Sequence, residues 1–137
     1  MAGDTEEKVR SEGQSKTEGE TWLVHIFKAS GYSADGFAAA FMNEMAFRME
    51  VVAFIILTPL ACLVPAGLLY KALVISAMLM VLFVELLNSA MEWVVDYISH
   101  NHHPYAKKAK DMGSAAVTVA LVNAGLWWGL LLWEWLG

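Results

Sequence analysis

The stretch Val51-Val-Ala-Phe-Ile-Ile-Leu-Thr-Pro-Leu-Ala-Cys-Leu-Val-Pro-Ala-Gly-Leu-Leu-Tyr70 holds no charged side chain in 20 residues, and a second uncharged run of 22 residues covers 112–133. As helices rising about 1.5 Å per residue, each run spans roughly the 30 Å hydrocarbon core of a bilayer, which excludes an ordinary water-soluble domain. Between them, residues 72–98 are mostly Leu, Val, Met and Ala, interrupted by Glu85, Asn88, Glu92 and Asp96. The chain therefore reads as an all-α membrane protein. Three transmembrane helices are expected at about 50–70, 72–98 and 112–135, with Lys71 marking the first turn and 99–111 forming a loop.

Of the 137 residues, 58% are hydrophobic and 17% charged, with a net charge of −5, and the charge is gathered outside the spans. Residues 1–21 contain six acids and three bases without an apolar segment, so they are expected to be a polar disordered tail lacking a secretory signal, ahead of one membrane domain over 22–137. An acidic chain with no basic stripe argues against a nucleic-acid partner. The single cysteine, Cys62, excludes an internal disulfide and a cysteine-based zinc site. Lys107, Lys108 and Lys110, with Lys28 and Arg48, place the N-terminus and the second connection in the cytoplasm by the positive-inside rule. Trp127, Trp128, Trp133 and Trp135 then form an aromatic belt on the far side.

Residues 22–48 read as an amphipathic surface helix, broken at Gly31 and resumed from a cap at Ser33. Phe37, Phe41 and Met45 recur at helical spacing, and Glu44 falls on nearly the same face, either snorkelling to water or pointing inward as a ligand. Gly125 and Gly129 form a GxxxG pattern, and the small residues from Gly113 to Ala116 permit close helix approach. Three helices enclose little interior, so self-association is expected.

At about 100° per residue, Glu85, Glu92 and Asp96 lie within about 40° of one another on a helix, with Asn88 about 60° to one side. Each charge at bilayer depth costs at least ~2.5 kcal/mol, so this stripe is expected to face partners or a polar cavity rather than lipid. Glu85 lies about 16 Å deeper than Asp96 along the helix, which marks it as the candidate general base for a bound hydroxyl. Asn88 can orient that base or the hydroxyl. The shallower Glu92, joined by Glu44 from another helix, suits a hard cation such as Mg²⁺, which takes one or two carboxylates together with phosphate oxygens. Lys110 and Asp111 offer a phosphate contact and its orienting acid, or simply a topological anchor and a helix cap. No P-loop, kinase glycine loop or dinucleotide fingerprint is present, so a conventional nucleotide fold is excluded while phosphoryl transfer remains open.

The segment Glu85-Leu-Leu-Asn-Ser-Ala-Met-Glu92-Trp-Val-Val-Asp96, followed by Ala109-Lys-Asp-Met-Gly-Ser-Ala-Ala-Val117, resembles the prokaryotic integral-membrane diacylglycerol kinases. Lys28-Ala-Ser-Gly-Tyr-Ser33 and Asn43-Glu-Met-Ala-Phe-Arg-Met-Glu50 extend the resemblance from about Trp22 to the C-terminus. It implies a homotrimer of three-span protomers in the bacterial cytoplasmic membrane, moving the γ-phosphoryl of Mg-ATP to the hydroxyl of diacylglycerol to give phosphatidic acid. It further implies Glu85 as proton acceptor, Glu44 and Glu92 as metal carboxylates, and Tyr32, Asp96, Lys110 and Asp111 as nucleotide contacts. Asn88, Lys28, Ser33, Gly113 and Ser114 match positions around the lipid. His25 stands where the family commonly has Arg, and Asn101, His102 and His103 match nucleotide-facing positions or are solvated loop residues. The run His103-Pro-Tyr-Ala-Lys-Lys108 resembles the sibling undecaprenol kinases instead, leaving another lipid alcohol as the alternative acceptor. A proton-coupled transporter would use the same membrane acids, but would have no need of Lys110 and Asp111 beside ATP.

Overall fold

A computed structural model describes residues 22–98 and 103–137, and these form helices without a strand among them. In chain order they are α1 (Trp22–Asn43), α2 (Met45–Leu63), α3 (Leu68–Ile98) and α4 (Pro104–Leu136). The last three are long and apolar enough to cross a membrane. The expected tail over 1–21 lies outside the described residues. The chain divides into two compact units, Met1–Ala38 and Ala39–Gly137.

In the first unit, residues 22–38 are a helix whose described side chains are all exposed, Trp22, Ile26, Phe27 and Phe37 among them. The expected break at Gly31 is absent: the helix runs through it. Ser33 caps nothing; its hydroxyl donates to its own helix at Ala29 O (3.0 Å), as Ser30 does to Ile26 O (2.9 Å). A glycine costs a helix interior about 1 kcal/mol relative to Ala, and back-bonded serines are readily carried, so neither residue forces a stop.

In the second unit the chain leaves helix at Glu44 (φ −105°, ψ 116°) and re-enters it at Met45. Arg48, one turn into α2, donates from Nη1 to Phe41 O (3.3 Å) and Met42 O (3.0 Å), covering carbonyls that the end of α1 leaves unpaired. The first span thus starts five residues earlier than the charge count suggests, and it ends at Leu63 rather than Tyr70. Pro65 sets that end, because the residue before a proline is driven to extended backbone and Val64 adopts φ −61°, ψ 129°. Pro59 remains inside the helix.

Lys71 is likewise not the turn. Residues 64–67 make it, and Lys71 sits in the first turn of α3 with Nζ donating to Cys62 O at 2.7 Å. The expected loop over 99–111 is mostly helix as well. His103 N-caps α4, its Nδ1 accepting from Tyr105 N (3.3 Å), and Pro104 supplies a first turn with its φ already set. Lys107, Lys108, Lys110 and Asp111 are therefore helical, and Lys107 pairs with Asp111 at 2.5 Å, one turn on.

α3 packs along α4 and, over a shorter length, against α2. Ala61, Val74, Met78 and Leu131 form one buried cluster, and Ala77, Val81, Ala120 and Ala124 a second. Small residues at 77, 120 and 124 let the two long helices approach closely. Of the four tryptophans expected to form a belt, Trp133 and Trp135 are exposed. Trp127 and Trp128 pack against the buried clusters, and the Trp128 indole donates to Met78 Sδ at 3.4 Å. A Cβ added at Gly125 or Gly129 would meet nothing within 4 Å, so among the described residues the GxxxG pattern makes no close helix contact.

The Lys71 contact yields a stability prediction. Lys71→Met removes a cationic donor from the C-terminal carbonyls of α2 and should destabilise the folded protein by about 1 kcal/mol, read as a lower denaturation midpoint in detergent. Lys71→Arg should lose less.

Candidate functional site

The site grows from one stripe of α3. Val74, Ala77, Met78 and Val81 are buried, and the stripe continues into Glu85 and Ser89, which are only 4% and 6% exposed. Asn88 and Glu92 are half-buried and Asp96 is exposed, so access to water increases from Glu85 towards the end of the helix. Helical periodicity predicts this face, since the polar positions continue the apolar seam.

Within the stripe, Asn88 Nδ2 donates to Glu92 Oε1 at 3.2 Å, holding one carboxylate oxygen from a turn below. Asn88 Oδ1 is buried and has no hydrogen-bond partner, as is Ser89 Oγ. Gly113 of α4 lies directly over this amide: a Cβ there would collide with Asn88 Oδ1 and with the end of the Met91 side chain. Glycine leaves the amide where it is; a larger residue would push the ends of Asn88 and Met91 aside.

Glu44 arrives from the break between α1 and α2. Its Oε1 accepts from the indole N–H of Trp93 at 2.6 Å, which ties the start of α2 to the turn of α3 that also carries Glu92. One turn beyond Glu92, Lys110 of α4 donates to Asp96 Oδ1 at 2.6 Å. Glu44, Glu92 and Glu50 all lie near enough to Glu85 for their charges to interact. Four carboxylates so gathered need a counter-charge or a proton.

Glu50 is the residue that sequence reasoning missed. It is half-buried on α2, its Oε2 has no partner, and it stands in the wall of a largely apolar groove of about 210 Å³ shared by Phe54, Met78, Leu121 and Trp128. The charge count sets it at the boundary of the first span; because α2 begins at Met45, it is an acid inside a span, which by itself marks a functional candidate.

The donor set suits Mg²⁺ only in part. Among the described residues no group of three or more His, Cys, Asp or Glu side chains is gathered to hold a metal ion. Two carboxylates with hard oxygen donors, Glu44 and Glu92, match what Mg²⁺ takes when phosphate oxygens and water complete its shell.

The remaining expected residues are placed as follows. His25, Lys28, Tyr32 and Ser33 belong to the first unit, where His25 and Lys28 each have an interaction partner and Tyr32 is exposed. Asn101 and His102 lie outside the described residues. His103 uses a ring nitrogen as a helix cap, Asp111 is exposed and held by Lys107, and Ser114 is exposed.

Residues 31–132 match the family described as prokaryotic diacylglycerol kinase. The chain is 44% identical over 117 residues to the diacylglycerol kinase of Escherichia coli K12, covering 85% of this chain and 96% of that protein. To the diacylglycerol kinase of Pseudomonas aeruginosa it is 47% identical over 118 residues, covering 86% and 96%. With the Helicobacter pylori 26695 enzyme of the same name the identity is 40% over 107 residues, covering 78% and 84%. A chain with three membrane-length helices, an acidic stripe turned inward on the second of them and a match of this extent belongs to the prokaryotic diacylglycerol kinase family of membrane lipid kinases.

Proposed function

We propose that this chain transfers the γ-phosphoryl group of ATP to the free hydroxyl of diacylglycerol, giving phosphatidic acid and ADP. The observation that carries the reading is the buried Glu85 on a stripe where Asn88, Glu92 and Glu44 converge. Glu85 accepts the proton of the lipid hydroxyl as its oxygen attacks the γ-phosphorus, and the bond to the β-phosphate oxygen breaks with its electrons leaving on ADP. Asn88, with an unpartnered carbonyl oxygen close by, orients the hydroxyl or the base. Glu44 and Glu92 would hold Mg²⁺, which would supply positive charge to offset that of the phosphates. Lys110, aligned by Asp96, supplies a positive point charge for phosphate.

The family resemblance adds His25, Tyr32, Asn101, His102, His103 and Asp111 as nucleotide contacts, and Lys28, Ser33, Gly113 and Ser114 around the lipid. The lysines near the start of α4, with Lys28 and Arg48, support a cytoplasmic N-terminus and site in the bacterial inner membrane. A homotrimer is supported by the small share of each apolar span that is buried within one chain, a third of the window in α3 and less in α2 and α4. Residues 22–137 then form the kinase domain and 1–21 a polar tail.

Purified protein in a bilayer with Mg-ATP and a panel of diacylglycerol and undecaprenol tests the reaction by product identity. Phosphatidic acid is the expected product, and labelling of undecaprenol alone would reassign the acceptor. Glu85→Gln should lower transfer by about 10²–10⁴, the usual worth of a general base, without changing assembly on size exclusion. Undiminished turnover would move the base elsewhere. Gly113→Val should drive a side chain into Asn88 and cost about 1–3 kcal/mol of stability together with most of the activity, whereas Gly125→Val, at a position open within the chain, should be better tolerated by the single-chain fold.

A further inference from the structure

The contact between Glu44 and Trp93 is explained neither by packing nor by the transfer step. Glu44 occupies the N-cap position of α2, where a side-chain oxygen ordinarily turns back to the first N–H groups of its own helix. It makes no such bond. Its carboxylate instead reaches a partner 49 residues along the chain, the Trp93 indole at 2.6 Å. The backbone is held for this from both sides. Arg48 ties α2 to the last carbonyls of α1 through Phe41 O and Met42 O, and Glu44 N donates to Ala40 O at 2.8 Å.

On α3 the donors come in adjacent turns. Asn88 holds Glu92 and Trp93 holds Glu44, so each carboxylate has one oxygen fixed by a neutral N–H group on the same helix. An indole nitrogen only donates and carries no charge, so it holds the carboxylate without neutralising it.

We infer that Trp93 is a positioning residue: its indole N–H anchors the Glu44 carboxylate beside Glu92, presenting the two as a pair to a divalent cation, with Arg48 holding the break that makes the reach possible. This rests on the reading of Glu44 and Glu92 as the metal carboxylates. Trp93 is 53% exposed, and an aromatic at a span's end also serves as an interfacial anchor. An anchor alone would not alter the metal requirement.

The test uses the full chain in nanodiscs. Mg²⁺ dependence of phosphorylation and binding of Mn²⁺ with a non-hydrolysable ATP analogue, followed by electron paramagnetic resonance, are compared for the wild type, Trp93→Phe and Glu44→Gln. Trp93→Phe, which keeps the aromatic and removes the donor, should raise both the Mg²⁺ half-saturation and the Mn²⁺ dissociation constant about tenfold, as changes to outer-shell partners do, with a smaller effect on kcat. In ¹⁵N-tryptophan protein, the indole signal absent from Trp93→Phe should move upfield in Glu44→Gln. If Glu44→Gln impairs the metal response while Trp93→Phe does not, the inference is overturned and the metal role of Glu44 stands. If Glu44→Gln has wild-type metal dependence, both fall. Should Trp93→Phe fail to fold, the indole signal, assigned by Trp93-specific labelling, decides: unmoved in Glu44→Gln, it overturns the inference.

Discussion

The constraint on which the structure depends is that α3 carries carboxyls at positions where lipid would otherwise lie. Hydrocarbon offers them no hydrogen-bond partner and no counter-charge, so the deep part of that face must turn to protein, while Asp96 at the end of the helix is exposed. It does so without changing its seam. Val74, Ala77, Met78 and Val81 bury one stripe, and Glu85 and Ser89 extend it. The facing seam of α4 runs Gly113, Ala120, Ala124, Leu131, spaced by seven and four residues as in left-handed helix pairs. At one end the seam is filled by Met78, Leu131 and the half-buried tryptophans; at the other it narrows to glycine, because an amide must fit where a methyl group would collide. A single packing interface thus changes from apolar core to polar site.

What was legible in the sequence follows from which signals are local. Two of the three spans could be read from charge-free runs, the third from its overall apolar composition, and the inward face of α3 from its period, because these depend on nothing but transfer energy and helix geometry. Helix ends were not, because charge was used to mark them and helices continue past the hydrocarbon into the charged interface. Lys107 and Lys110 extend α4 by its N-terminal turns, and Glu50 lies inside α2. Pro65 carried the correct signal for the end of α2, through its effect on Val64, but the uncharged residues after it outweighed it in the reading. The break at Glu44 has no local signature at all. Asn43, Glu44 and Met45 are ordinary helix residues, and the interactions that hold the break come from Arg48 and from Trp93 on another helix. Conversely, Gly31 and Ser33 look like a helix boundary and are not one, since their intrinsic preferences are worth too little to interrupt a 22-residue helix.

The electrostatic arrangement has its own logic. Lysine or arginine bound directly to Glu44 or Glu92 would neutralise them, and a cation would then have to displace the basic side chain before binding. Asn88 and Trp93 fix the same oxygens as neutral donors, so orientation is obtained while the negative charge is kept. The basic groups nearby are committed elsewhere: Lys110 to Asp96, Lys107 to Asp111, and Arg48 to backbone carbonyls. On the proposed reading, carboxylates held in place by neutral donors, beside a buried acid on an apolar seam, would suit a divalent cation and the phosphates accompanying it. A membrane helix tolerates such a concentration of like charge only where something else balances it, and on the proposed reading a bound divalent cation would be that balance.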